Sequence, residues 1–272
     1  MIASFGGVAL DRPRVMAIVN VTPDSFSDGG ERLDPARAIV DGLQFISEGA
    51  DFLDIGGEST RPGSRPVPVE EELRRVLPVV AGLTRRGALV SIDTRRAAVA
   101  EACLDAGARI VNDVSALRDD PDMLPLVAAR RVPVVLMHRR GRSEDGYAGP
   151  DYRDVVEDVR QFLIDRAEQC QGAGIPAQDI AFDPGIGFGK RPEEDVALIA
   201  GTGRLAAAGH PVLVGASRKS FIGKLTGVQD ARQRVPASLW LGVEAARRGA
   251  AILRVHDVAA TCQALAISST MR

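Results

Sequence analysis

A single unit recurs along this chain: a short apolar run, one polar residue, a loop of Gly, Pro and Ser, and a helical pattern. The first copy lies in Val15–Gly30, VMAIVNVTPDSFSDGG, where the apolar run Val15–Val19 ends at Asn20. A helical pattern begins soon afterwards, near Asp34-Pro35. An apolar run this short, bounded by turn-forming residues, predicts a buried strand. Because the unit recurs about eight times, it restricts the fold to alternating strands and helices.

Seven further apolar runs predict the remaining strands. They are Phe52–Ile55, Leu89–Ile92, Ile110–Val111, Val132–Met137, Ile180–Phe182, Val212–Val214 and Ile252–Val255. None alternates polar with apolar residues, as expected of parallel strands that are covered on both faces. The helical patterns between them are Ala36–Glu48, Val69–Leu83, Arg96–Asp105, Asp122–Arg130, Tyr152–Gly172, Glu193–Ala208, Val235–Arg248 and Val258–Ile267.

This alternation over about 250 residues predicts an α/β fold of the (β/α)8 class, a TIM barrel. No linker-like change of composition divides the chain, so we expect a single domain spanning residues 1–272. A doubly wound open sheet is the alternative. It normally has fewer strands and a phosphate loop after the first one, and no G-x-G-x-x-G or P-loop sequence occurs there.

The composition excludes several classes of function. A formal net charge of −2 provides no basic surface for nucleic acid or for an anionic membrane. No apolar run reaches the ~18 residues that a spanning helix needs, and the first residues show no secretory signal. The three cysteines are far apart and have no metal-binding spacing. We therefore expect a cytoplasmic protein with reduced thiols and no nucleic-acid or membrane partner.

Polar residues and glycines stand at the predicted carboxyl ends of the strands, where a TIM barrel builds its active site. They are Asn20, Gly56-Gly57, Asp93, Asn112, His138, Asp183, Ser217 and His256. Asparagine occurs only twice in the chain, and both copies lie at these ends. Any one of the Asn and Asp residues could simply cap the following helix. For the ring as a whole, capping is the poorer explanation.

Three of these residues suggest a heterocyclic ligand. Asp93, Asn112 and Asp183 would offer acceptors and an amide donor to a flat ring with adjacent N–H and C=O groups. The alternative for either carboxylate is a structural ion pair with a nearby arginine. His138 could also bind a ligand, but the adjacent Arg139-Arg140 favours a solvated loop.

The last two loops supply positive charge. Ser217–Ser220, SRKS, precedes a short predicted helix, and Arg254 and His256 flank the end of the last strand. This corner of a TIM barrel frequently binds phosphate. A lone Ser-Arg-Lys is usually a solvated turn, but beside Arg-x-His it indicates an anion site. Only three of the 34 basic residues are lysines, namely Lys190, Lys219 and Lys224, so a lysine in the middle of the SRKS turn suggests a need for its shape.

Eight motifs, in order along nearly the whole chain, resemble those of the dihydropteroate synthases, a family of pterin-binding TIM barrels. They are NVTPDSFSDGG (Asn20–Gly30), DIGGESTRPG (Asp54–Gly63), SIDT (Ser91–Thr94), NDVS (Asn112–Ser115), LMH (Leu136–His138), DPGIGFGK (Asp183–Lys190), ASRKSFIG (Ala216–Gly223) and RVHD (Arg254–Asp257). The segment His138–Gly141 departs from the family pattern, which commonly has Met-Gln-Gly after the histidine.

The resemblance implies a transferase of folate biosynthesis. Such an enzyme joins 6-hydroxymethyl-7,8-dihydropterin pyrophosphate to p-aminobenzoate, with Mg²⁺, and releases pyrophosphate and 7,8-dihydropteroate. It also implies a sulfonamide target and a homodimer that forms through the later helices. The chemistry of the residues agrees, because a pyrophosphate leaving group needs cations and a hard metal, and a neutral arylamine needs no strong general base.

The resemblance also implies residue roles. It assigns catalysis to Asp93, Asp183, Lys219, Asp28 and Arg61. It assigns the pterin pyrophosphate site to Thr60, Asp93, Asn112, Asp183, Lys219, Arg254 and His256. It assigns the p-aminobenzoate pocket to Phe26, Thr60, Pro62, Phe188 and Ser220, and the metal to Asn20.

Two other classes are open at this point. A methyltetrahydrofolate–corrinoid methyltransferase shares the pterin-binding barrel but needs no pyrophosphate site, so Lys219, Arg254 and His256 argue against it. A pterin-binding homologue without turnover is the other.

Overall fold

The computed structural model describes residues 4–22, 34–60, 64, 66–141 and 151–271. The strands of this part of the chain are β1 (Ser4–Phe5), β2 (Val8–Ala9), β3 (Arg14–Asn20), β4 (Phe52–Gly56), β5 (Val90–Asp93), β6 (Ile110–Asp113), β7 (Val134–Met137), β8 (Ile180–Asp183), β9 (Leu213–Val214) and β10 (Ile252–Val255). Its helices are α1 (Pro35–Ser47), α2 (Val69–Thr84), α3 (Ala97–Asp105), α4 (Met123–Arg130), α5 (Val155–Gly172), α6 (Pro192–Ala200), α7 (Thr202–Ala206), α8 (Ser220–Thr226), α9 (Val235–Arg247) and α10 (Val258–Thr270).

Strands β3 to β10 form one parallel sheet in the order β8-β7-β6-β5-β4-β3-β10-β9. A parallel bridge between Phe182 and Val212 joins the two edges of this sheet and closes it into a barrel. The predicted TIM barrel is therefore confirmed, and the open doubly wound sheet is excluded. In the part of the chain that the structure describes, no helix combines the length and apolar character that crossing a membrane requires.

The predicted strands agree with the structure to within two residues, but one helix prediction is wrong. The pattern Glu193–Ala208 predicted one helix, whereas α6 ends at Ala200 and α7 begins at Thr202. Gly201 separates them and lies against Val156, where an added Cβ would stand 2.7 Å from Val156 Cγ1. The Thr202 hydroxyl donates to the carbonyl of Ile199 at 2.8 Å, which satisfies an acceptor near the end of α6.

The antiparallel hairpin of β1 and β2 was not predicted from the sequence, and it covers the amino-terminal end of the barrel. Its Phe5 is 1% exposed. The ring belongs to a layer of buried side chains that the barrel strands supply near their starts, including Met16, Phe52, Ile110 and Ile252. The hairpin thus fills the amino-terminal end of the barrel with apolar atoms.

Candidate active site

Strand register brings four of the predicted positions into one row at the barrel mouth. Asn20 pairs with Gly56, Gly56 pairs with Asp93, and Asp93 pairs with Asn112. On the far side of the barrel, Asp183 ends β8. Since parallel strands in register present their carboxyl ends at the same level, side chains that are up to 163 positions apart in sequence (183 − 20) reach one site.

A largely buried ionic cluster lies in this mouth. The Nε of Arg254 donates to Asp54 Oδ2 at 2.6 Å, and its second guanidinium arm donates to Asp93 Oδ2 at 2.7 Å. The amide of Asn112 donates to the same Asp54 oxygen at 3.0 Å. Burial raises the pKa of Asp93, an effect that the Arg254 charge opposes. The ion pair considered as the alternative for a site carboxylate is thus present at Asp93, within the site itself.

Asp54 was not singled out in the sequence, although it is fully buried and contacts two predicted site residues. Its Oδ1 accepts no hydrogen bond from the described residues. A charged residue inside the apolar run Phe52–Ile55 was the available signal, because a carboxylate is rarely buried unless it is paired.

Asp183 and Lys219 form the other side of the site. Asp183 is buried, and its Oδ1 accepts from the backbone N–H of Gly185 at 2.7 Å. Burial raises the pKa of Asp183, and Lys219 is the first of the cations that lower it. Burial also lowers the pKa of Lys219 to about 8, with Arg254 acting in the same direction. The ammonium lies 4.0 Å from the centre of the Phe188 ring, a cation–π contact.

Ser217 and His256 meet at the predicted anion corner. The Ser217 hydroxyl and His256 Nδ1 are 3.1 Å apart, and the backbone N–H of His256 donates to the same hydroxyl oxygen at 3.2 Å. Burial, with Arg218 and Arg254, lowers the pKa of His256 to about 3. The imidazole is therefore neutral. With the Ser217 hydroxyl donating its hydrogen bond to Nδ1, the ring carries its own proton on Nε2, which can donate to a ligand.

Arg218 holds the turn before Lys219. It adopts a left-handed backbone with φ of 59° and pairs with Asp257 at both guanidinium ends, including Nε to Oδ2 at 3.0 Å. Its N–H donates to the Ser238 hydroxyl at 2.9 Å. These contacts fix a backbone conformation that costs a residue other than glycine about 1 kcal/mol or more.

The segment that follows β7, His138–Arg140, differs from the solvated loop that the sequence favoured there. His138 is 8% exposed and Arg139 is 6% exposed. The imidazole packs edge-on against Phe162, with ring centres 4.9 Å apart, and Arg139 pairs with Asp119. The prediction was wrong because charge alone cannot show that a half-buried carboxylate on the neighbouring loop, Asp119, pairs with the arginine.

The remaining predicted residues divide into two groups. Asn20 and Thr60 are half-buried, and Ser220 is exposed at the start of α8. Phe26, Asp28, Arg61 and Pro62 lie outside the described residues.

Within the described ranges, no three His, Cys, Asp or Glu side chains are grouped to hold a metal ion. The side-chain carbonyl oxygen of Asn20 fits Mg²⁺ as one hard ligand, since this ion commonly takes one or two protein oxygens together with substrate phosphates and water.

Comparison with known proteins adds a separate line of evidence. Residues 16–256 match the family model described as pterin binding enzyme. The chain is 47% identical over 260 residues to the dihydropteroate synthase of Mycobacterium leprae, covering 93% of this chain and 92% of that protein. Over 267 residues it is 42% identical to the Escherichia coli enzyme, covering 96% and 93% of the two chains.

Solved structures agree with these sequence comparisons. The Xanthomonas albilineans dihydropteroate synthase with 4-aminobenzoic acid superposes with a TM-score of 0.92 at 51% identity, covering 97% of this chain and 94% of that one. The same enzyme in complex with 7,8-dihydropteroate gives 0.88 at 49% identity, covering 97% and 95%.

Proposed function

Since the chain belongs to the dihydropteroate synthase family of pterin-binding enzymes, we propose that it is a transferase acting on 6-hydroxymethyl-7,8-dihydropterin pyrophosphate and p-aminobenzoate. The products are 7,8-dihydropteroate and pyrophosphate, in folate biosynthesis. The observation that carries this function is the convergence of buried and half-buried acceptors with cations at one barrel mouth. The acceptors are Asp54, Asp93 and Asp183, and the cations are Lys219 and Arg254.

The acceptors suit a pterin. Its pyrimidine half presents neighbouring N–H, NH₂ and C=O groups, which carboxylates and an amide can bind in one plane. Asn112 supplies an amide whose orientation Asp54 fixes. Buried acceptors of this kind reject rings that lack the matching donors, because the acceptors would then be left unpaired.

The same groups support the chemical step. The methylene C–O bond to pyrophosphate breaks, the neutral arylamine nitrogen forms the new C–N bond to that carbon, and the amine proton leaves to water. Positive charge that develops on the pterin methylene is stabilised by carboxylates that are already fixed nearby, Asp93 and Asp183. We assign Phe188 and Ser220 to the arylamine pocket, because Phe188 is half-buried beside Lys219 and Ser220 directly follows Lys219 at the start of α8.

The pyrophosphate leaving group needs hydrogen-bond donors and positive charge at the opposite corner of the mouth. Neutral His256 can donate Nε2–H to a phosphate oxygen, and Arg254 supplies a guanidinium within the same mouth. We also propose that Mg²⁺ is held by Asn20 together with the phosphates. When bound, the metal would neutralise charge on the departing pyrophosphate.

The test is pyrophosphate release from the pterin substrate, followed with and without p-aminobenzoate and with and without Mg²⁺. We expect release that depends on the arylamine, and a loss of at least about a hundredfold in Asp183→Asn if a fixed carboxylate stabilises the transition state. Methyl transfer from methyltetrahydrofolate without such release would support the corrinoid methyltransferase class. Binding of the pterin without turnover would support a non-catalytic homologue.

We further propose a homodimer that forms through the last helices, in the cytoplasm. Trp240 on α9 is 64% exposed, and Ile267 and Met271, at the end of α10, are also exposed. The free thiols of Cys103, Cys170 and Cys262 are consistent with a reducing compartment. Because Trp240 is the only tryptophan, its emission should shift to the red as the protein is diluted below the dissociation constant, in step with the sedimentation coefficient. A monomer at all concentrations would contradict the proposal.

A further inference from the structure

Lys190 is half-buried at the end of the loop that follows β8, and the proposed function gives it no role. Its ammonium donates to the carbonyl oxygens of Gly185 at 2.9 Å and His138 at 3.2 Å. It also lies 3.1 Å from His138 Nδ1 and 3.4 Å from the Phe188 carbonyl oxygen. One side chain thus connects the end of β7 to two turns of the loop 183–190.

These acceptors would repel one another without a cation between them. Gly185 has φ of +67° and approaches β7 so closely that an added Cβ would stand 1.8 Å from the His138 carbonyl oxygen. Three carbonyl oxygens and a ring nitrogen of His138 therefore converge on the Lys190 ammonium. Burial lowers the pKa of Lys190, while Asp195 and Asp183 act to raise it. The loop conformation and the charge of Lys190 support each other.

The loop that Lys190 holds forms one wall of the site. Its Phe188 ring lies 4.0 Å from Lys219 Nζ, and an added Cβ at Gly187 would stand 3.2 Å from Lys219 Cδ. The N–H of Gly187 donates to Asp195 Oδ1 at 2.6 Å, which fixes the loop from the side of α6. A shift of the loop would therefore move the aromatic wall relative to the Lys219 ammonium.

We propose that Lys190 is a positioning residue, which holds the loop 183–190 against the end of β7 so that Phe188 is aligned for the arylamine. This inference rests on the proposed function. A lysine is required because an ammonium directs three N–H bonds in three directions from one point. A planar guanidinium directs its donors outward within one plane. The bias of the chain agrees, since Lys190 is one of three lysines among 34 basic residues.

The test compares Lys190→Met and Lys190→Arg with Lys224→Met and Lys224→Arg, because Lys224 is exposed on α8. For both Lys190 variants we expect the KM for p-aminobenzoate to rise at least about tenfold, while the KM for the pterin pyrophosphate changes less than about threefold. The Lys224 variants should match the unmodified protein. A merely structural role would lower the active fraction, and hence the apparent kcat, and leave both KM values unchanged. That result, or a Lys190→Arg variant with unchanged kinetics, would overturn the proposal.

A crystal structure of Lys190→Met separates this inference from the proposed function. The distance from Lys219 Nζ to the Phe188 ring centre should increase clearly from 4.0 Å. An unchanged distance would overturn the positioning role even if the unmodified protein shows no arylamine-dependent pyrophosphate release. Absence of that release would count against the proposed function alone. If Lys190→Met does not fold, the KM values and the distance from Lys219 to the Phe188 ring are measured in Lys190→Gln instead.

Discussion

Lys219 combines a charge, a thin stem and an aromatic neighbour within one site. Its ammonium lies 4.0 Å from the Phe188 ring centre, and its stem packs close to Gly187. Arg218, immediately before it, is held by Asp257, so the backbone at this point has little freedom. A point charge at the end of a narrow stem can lie between a heterocycle edge and a phosphate, where a broad guanidinium would collide with one of them.

Lys219→Arg should therefore lower kcat/KM by more than about tenfold, or about 1.4 kcal/mol of transition-state stabilisation. Lys224→Arg, on the exposed face of α8, should change it by less than about threefold. Coupled measurement of pyrophosphate release compares the two variants directly. If they behave alike, the role given to Lys219 is wrong.

The pH dependence of kcat/KM should report the same residue. The pKa of Lys219 is lowered to about 8 from its ordinary value of 10.5, so the free protein loses this positive charge as the pH rises through about 8. We expect kcat/KM for the pterin substrate to fall above that pH. His256, with its pKa lowered to about 3, stays neutral and adds no change between pH 5 and 9.

Lys219→Arg provides the control for this profile, because a guanidinium keeps its charge over the whole range. Its residual activity should show no decline centred near pH 8. A decline of the same midpoint in the variant would show that another group titrates.

At the scale of elements, an ionic network holds together the loops that follow β4, β5 and β6. Glu58, after β4, accepts from the N–H of Val67 at 2.9 Å and from Arg96 at 2.7 Å. It also pairs with Arg95 at 3.0 Å, and Arg95 in turn pairs with Asp119 at 3.0 Å. One carboxylate, Glu58, thus brings together the described ends of the loop that follows β4, and its side chain is only 8% exposed.

Glu58→Ala should lower the free energy of unfolding by about 3 kcal/mol, because it leaves two largely buried arginines with one carboxylate partner fewer. The control is Glu101→Ala, whose carboxylate is 59% exposed and lies 3.7 Å from its partner Arg130. That exposed pair should contribute less than about 1 kcal/mol. Urea denaturation followed by circular dichroism measures both, and equal losses would contradict the role of the network.

At the scale of the whole molecule, the two ends of the barrel differ in their chemistry. The amino-terminal end is closed by Phe5 and the apolar layer beneath it, and the carboxyl end carries the polar site. This separation allows the site to hold buried charges, since the apolar end and the helices supply the stability that those charges reduce.

Phe5→Ala should lower the free energy of unfolding by about 3–5 kcal/mol, because it leaves a cavity at the closed end of the barrel. Its kcat/KM should stay within about twofold, since Phe5 lies at the opposite end from the site. Val40→Ala is the matched control, because Val40 is 59% exposed and its truncation leaves no cavity. A loss of stability no larger than that of Val40→Ala would show that the hairpin does not seal the barrel.

The sequence by itself determined the fold class and the level of the site. Eight apolar runs predict eight buried strands, and the residue that ends each run must lie at the barrel mouth, because the carboxyl ends of parallel strands share one edge. Asn20, Asp93, Asn112 and Asp183 were placed at the strand ends in this way, and the family resemblance that they helped to establish is confirmed. All of this depends on local periodicity and on motifs, which a linear sequence displays.

Only the tertiary structure decided which of these side chains meet. Arg254 pairs with Asp54 across 200 positions and with Asp93 across 161, and no periodicity encodes such pairs. Three other contacts could not be predicted for the same reason. They are the pairing of Arg139 with Asp119, the closure of the barrel by Phe5, and the convergence of carbonyl oxygens on Lys190. Each depends on distances between elements far apart in the chain. A buried charge is stable only where its partner lies within a few ångströms, and packing alone sets that distance.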